Sequence, residues 1–189
     1  MAWPKRKKSE LEPLNSGKPV SALVQRLARK LEDLPAKDAR RIQEAEELER
    51  SQYQGGEALH QICREFVELL NSLQDALAVE LSPDVFHSEI LESPNPVLIQ
   101  INASGRILQL SILPREAASS TDHFRQPYVL RGAIRWFNQE LLDRHLVEEH
   151  QVFYCRDREG FHWLYQNART RKTGPIDGDF LAECLEQLL

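Results

Sequence analysis

The apolar residues of this chain change their spacing near residue 95, and that change restricts the folds open to it. Up to Leu77 they recur at three and four residues, the spacing of a helix face. After Pro94-Asn95-Pro96 they alternate, the spacing of a strand with one buried side. A chain that runs helical first and alternating later reads as α+β.

The first helical pattern places Val20, Leu23, Val24, Leu27, Leu31 and Leu34 on an a/d seam. Pro35 removes a backbone donor, so a kink or an end is expected just before it. A second, more polar helix follows, with Ala39, Ile42, Ala45 and Leu48 on its thinner seam. Such a helix is weakly stable alone and needs a neighbour. Gly55-Gly56 reads as a break. The strongest helix comes next, with Leu59, Ile62, Phe66, Leu69, Leu73, Ala76 and Leu77 as its apolar stripe. Ser82-Pro83-Asp84 ends it, and "VFHSEILES" fits either a short helix or a strand.

Two hairpins are predicted. In "VLIQINASGRILQLSIL" a loop at Asn102-Ala103-Ser104-Gly105 sets Ile99 opposite Leu108 and Val97 opposite Leu110. In "VFYC…FHWLY" the loop Asp157-Arg158-Glu159-Gly160 sets Tyr154 opposite Trp163, Val152 opposite Tyr165 and Phe153 opposite Leu164. Residues 128–137 support two readings. As a strand, Tyr128, Leu130, Ile134 and Trp136 share a face, with Arg131 and Arg135 opposite. As a helix, Leu130, Ala133, Ile134, Phe137 and Leu141 form one stripe that continues beyond residue 137, and the helix is preferred. Glu140 and Arg144 support a helix in the second half. A final helix is capped by Asp177 and buries Phe180, Leu181, Cys184, Leu185 and Leu188.

The organisation expected is a disordered basic tail at 1–18, a helical extension at 19–54 and an α+β domain at 57–189. In that domain a long core helix precedes two β-hairpins, which form an antiparallel sheet packed against helices. The apolar fraction is 41%, just under the usual range of about 45–50%. It suffices for one core but not for burial along the whole length.

Chemistry is sparsely signalled. The net charge is −5, against the basic balance of a dedicated nucleic-acid binder. Cys63, Cys155 and Cys184 are odd in number and form no C-x-x-C, which argues against a disulfide framework or zinc site and fits a reducing, cytoplasmic location. The N-terminal cations precede no apolar run, so neither a secretory signal nor a membrane span is expected, and Asn102-Ala103-Ser104 reads as a turn. The run Lys5-Arg6-Lys7-Lys8 reads as a solvated tail.

His145-Leu146-Val147-Glu148-Glu149-His150 is one residue too long for H-x-x-E-H, and on a helix the second imidazole turns away by roughly 140°. No metal or cofactor is expected. Cys155 and His162 face each other in the second hairpin without an oxyanion hole or nucleophile elbow, so no catalytic residue is assigned. Phosphate-cradling glycine motifs are absent. Asp177, Asp179 and Glu183 read as a cap and dipole complement.

The functional reading is a non-enzymatic protein–protein interaction or adaptor protein, oligomeric through coiled-coil-like N-terminal helices, with Val20, Leu23, Leu27 and Leu31 as contact residues. A polyanion or nucleic-acid module using Arg156, Arg158, Arg169, Arg171 and Lys172 is the alternative. Against it stands a solvated loop guarding a strand edge. An enzyme with an unrecognised site is a third reading.

Overall fold

The computed structural model describes residues 21–87, 91, 95–120, 124, 126–158 and 160–189. The basic tail 1–18, Val20 and part of "VFHSEILES" lie outside the described residues. Two compact units are present: the first ends at Ile42 and the second runs Gln43–Leu189.

The elements in chain order are α1 (Ala22–Leu73), β1 (Val79–Ser82), β2 (Val97–Ala103), β3 (Arg106–Ser119), β4 (Tyr128–Phe137) and α2 (Gln139–Asp143). They are followed by β5 (Glu148–Arg156), β6 (Phe161–Asn167), β7 (Thr173–Pro175) and α3 (Gly178–Glu186). Among the described residues, seven strands form one antiparallel sheet in sequence order, β1 to β7. The protein is α+β, with the sheet packed against helices.

Helix α1 continues through both expected interruptions. At Pro35 every residue from 31 to 39 is exposed, so water can serve the Leu31 carbonyl that the proline leaves without a donor. At Gly55-Gly56 the missing side chains admit neighbours instead of breaking the helix. A Cβ on Gly55 would fall 2.5 Å from Tyr154 Cδ1 and 2.7 Å from Leu130 Cδ1, and one on Gly56 would enter the Phe86 ring. The Trp163 Nε1–H donates to the Gly55 carbonyl at 2.8 Å. Close approach to the sheet offsets the roughly 1 kcal/mol that each helical glycine costs relative to alanine.

The buried face of α1 also differs from the expected stripe. Gln52, Gly55, Gly56, Leu59, His60, Cys63, Phe66 and Val67 are buried, whereas Leu69, Leu73 and Leu77 are exposed. The helix stops at Leu73, and Asn71 clasps the backbone of Val79 by accepting from its N–H and donating to its carbonyl, both at 2.9 Å. This clasp sets β1, a strand the apolar pattern does not announce, beside the helix end.

Residues 128–137 are a strand, contrary to the preferred helix. Strand β4 pairs with β3 and β5, so its backbone groups are satisfied on both sides. Gly132 permits this, because a Cβ there would collide with the Ser111 carbonyl. Leu130, Ile134 and Trp136 enter the main core as the strand reading requires, while a register shift next to Tyr128 sends that ring to the opposite cluster. Helix begins only at α2, where Asn138 Oδ1 accepts from Leu141 N–H. Glu140 and Arg144 pair there at 2.8 Å.

The first hairpin is tighter than expected. Ile99 faces Leu110 and Val97 faces Ile112, closed by the pair Ser104-Gly105. Both have positive φ, as a two-residue type I′ turn requires. The register differs by two residues, so every side chain keeps its face. In the second hairpin Tyr154 faces Trp163, Val152 faces Tyr165 and Phe153 faces Leu164, as expected. Helix α3 starts at its Asp177 cap and buries Phe180, Leu181, Cys184 and Leu185, with Leu188 beyond its end.

Candidate functional site

The five candidate cations fall at opposite ends of one strand. Arg156 and Arg158 flank the β5–β6 turn, while Arg169, Arg171 and Lys172 occupy the β6–β7 turn. Strand β6 has seven residues, so the two groups stand about 20 Å apart at the usual rise per residue. They do not make one patch. The Arg156 guanidinium lies 5.6 Å from the centre of the Phe161 ring, which ties it to its own hairpin.

Asn167 shapes the second group. Its Oδ1 accepts from the N–H of Arg169 and of Thr170, both at 2.9 Å. Its backbone accepts from Arg171 N–H and donates to the Lys172 carbonyl. Arg171 takes a φ of 63°. The three cationic side chains are exposed, so a fixed loop presents them to solvent. The hairpin's Trp163, Tyr165, Phe153 and Tyr154, the rings that could have stacked on bases, are all buried. The loop can hold an anion by charge but offers no aromatic platform of the kind single strands use.

The Cys–His pair expected in the second hairpin is present and chemically quiet. Cys155 pairs in register with His162. His162 Nδ1 stands 3.5 Å from Asp157 Oδ2. Burial, with a further push from the Asp157 charge, raises the Cys155 thiol to about 12. Its Sγ–H donates to the Phe153 carbonyl. A nucleophilic cysteine needs the opposite shift. Cys63 and Cys184 are likewise raised to about 12 by burial. Among the described residues, no group of three or more His, Cys, Asp or Glu is placed to hold a metal ion.

His145 ends the α2 turn with a φ of 56°, and His150 lies in β5 among aromatics that the sequence did not connect. Its ring meets Trp136 edge-on at 4.9 Å and stacks with Tyr165 and Phe180. The side chains that fill this corner come from β4, β5, β6 and α3, so only the sheet order brings them together. His60, a buried imidazole on α1, approaches the Pro83 carbonyl with Nε2 at 2.8 Å and the Arg64 guanidinium with Nδ1 at 3.4 Å. The Nε2–H tautomer satisfies both contacts.

The remaining candidate surface is the first unit. Residues 21–42 are exposed throughout. Leu23 is 75% exposed, Leu27 56% and Leu31 54%, with Val24, Leu34 and Ile42 also open. These side chains repeat at helical spacing, and α1 contains them all.

Comparison with protein-family models, with curated proteins and with solved structures returned no significant match. Among the described residues no helix is long and apolar enough to cross a membrane.

Proposed function

We propose that this chain is a non-enzymatic interaction protein that self-associates through the N-terminal part of α1. One observation carries this reading: Leu23, Val24, Leu27, Leu31, Leu34 and Ile42 are all exposed on a single helix. Scattered exposed leucines are ordinary on a folded surface, but the row Val24, Leu27, Leu31 and Leu34, at three- and four-residue spacing, is the form a helical partner covers. In proteins most of a helix's stability comes from packing of its apolar face rather than from intrinsic propensity.

The test is the mass of the full chain in solution across a concentration series, by light scattering or sedimentation. The expected result is a dimer or higher species that becomes monomeric in the double variant Leu27→Glu, Leu31→Glu. A parent chain that stays monomeric at every concentration would end this reading.

A polyanion-binding role remains a second reading because Asn167 holds Arg169, Arg171 and Lys172 in a defined loop. Arg156 and Arg158 stand at the far end of β6 and do not add to that group.

A further inference from the structure

We infer that the partner helix is a second copy of this chain running antiparallel, centred near Pro35 to Lys37. This deepens the self-association reading and rests on it. The inference comes from how charge is laid out beside the exposed stripe.

Take Val24 and Leu31 as a positions, with Leu27 and Leu34 as d positions. The next a and d positions are then Asp38 and Arg41, and Ala45 follows at a. Lys30, Lys37 and Glu44 fall at g. Ala28, Pro35 and Ile42 fall at e, with Glu49 at the following e. The first charges of α1 are Arg26, Arg29 and Lys30, all cationic, ahead of Glu32 and Asp33; further along stand Glu44, Glu46, Glu47 and Glu49, among Arg40, Arg41 and Arg50. These side chains are exposed.

In a parallel pair in register, every seam residue meets its own copy. Asp38 would face Asp38 and Arg41 would face Arg41 in the seam, and Glu44 would flank the second copy's Glu49. Each is a like-charge contact, and two of them are at core positions. In the antiparallel pair, Leu27 meets Ala45, Leu31 meets Arg41 and Leu34 meets Asp38 of the second copy. No charge then faces its own kind in the seam, and the arginine stem can lie along leucine with its head in water.

The flanks change in the same direction. Lys30 comes beside Glu44 of the second copy, and the symmetry makes this contact twice. Ala28 comes beside Ile42, which covers an exposed apolar side chain that the parallel pair would set beside Lys37. The remaining like-charge contact is Lys37 with its own copy at the centre, on the solvated flank. The overlap ends where it must: Leu48, the next residue of the seam, packs against the chain's own core.

The test uses charge exchange and cross-linking in the full chain. Lys30→Glu turns two attractions into two repulsions and should weaken association about tenfold, taking each exposed pair at the usual fraction of a kcal/mol. Adding Glu44→Lys to the same chain should restore it. In a parallel pair Lys30 faces Pro35, so neither change would follow that pattern. Lys30→Cys and Glu44→Cys chains, oxidised as a mixture, should give the mixed disulfide in preference to either homodisulfide; the native cysteines are buried. A dimer without charge rescue, or one that favours homodisulfides, overturns the antiparallel arrangement and leaves self-association standing. A monomeric parent overturns both.

Discussion

The two halves of α1 carry the same kind of apolar spacing and meet different fates. In residues 21–42 the leucines lie open to solvent. In residues 52–67 the face made by Gln52, Gly55, Gly56, Leu59, His60, Cys63, Phe66 and Val67 is buried. Periodicity identifies a face of a helix, but not what covers it. The covered half is marked by residues that a helix-propensity argument would reject. Two glycines accept Tyr154, Leu130 and Phe86. A glutamine donates to the Arg115 and Val129 carbonyls. A histidine meets the Pro83 carbonyl. The open half, residues 21–42, has no glycine and no histidine.

The sharpest way to break this contrast is to truncate one apolar side chain in each half. Phe66→Ala should cost about 3–5 kcal/mol, since the ring is buried against the sheet. Leu27→Ala should cost no more than about 0.5 kcal/mol in the monomer while weakening association. Urea melts at high dilution measure both. Equal losses at the two sites would mean that residues 21–42 are packed in solution, and the contrast would fall.

Gly55→Ala sharpens the same point from the other side. Alanine favours a helix by about 1 kcal/mol over glycine. At this position it meets the Tyr154 and Leu130 side chains, so the expected outcome is a net destabilisation of about 1–3 kcal/mol. A higher melting temperature for Gly55→Ala would show that the helix and the sheet do not approach as described.

The thiols extend the contrast to pH. Cys63 lies in the covered half and is raised to about 12 by burial. The folded chain therefore retains this proton where the unfolded chain, with the ordinary value of 9.0, has released it. The stability that this group contributes is fully present below pH 9 and is lost progressively as pH rises toward 12. Replacing Cys63 by alanine should lower stability at pH 8 but reduce its decline on the alkaline side. A thiol-specific reagent at pH 8 should leave Cys63, Cys155 and Cys184 unmodified until the chain unfolds, yet label an added Leu27→Cys at once. Rapid native labelling of Cys63 would place it outside the core.

Much of the fold was legible in local patterns, and the failures share a physical cause. The β5–β6 register follows from alternating apolar residues and an Asx-to-glycine turn, both local. Helix α3 follows from one cap and one stripe. Strand β4 was misread because its apolar residues satisfy both periods, and the arbiter is Gly132 against the Ser111 carbonyl, a contact between strands. Strands β1 and β7 are too short to carry a period: they exist by pairing with β2 and β6. The leucines of residues 21–42 recur at helical spacing in the sequence and lie exposed on α1, but the corner around His150 was invisible, because four separate elements build it. The five candidate cations looked contiguous along the chain, and a strand of seven residues separates them.

The smallest expected effect concerns that last group. Replacing Arg169, Arg171 and Lys172 together by alanine should change stability by no more than about 0.5 kcal/mol. All three side chains are exposed, and the loop is held by backbone donors to Asn167 that alanine retains. Arg171 is the exception to watch, because its φ of 63° disfavours any residue with a Cβ, and alanine inherits that cost unchanged. Asn167→Ala, by contrast, removes the acceptor for two N–H groups and should cost more than the triple variant, about 1 kcal/mol. If the triple variant melts like the parent while losing salt-sensitive, micromolar binding to a single-stranded RNA or DNA, the loop is a polyanion site and the second reading gains over the first. If the parent binds neither nucleic acid at low salt, the cations keep the short β7 edge soluble, in line with the guarding role of charge at strand edges.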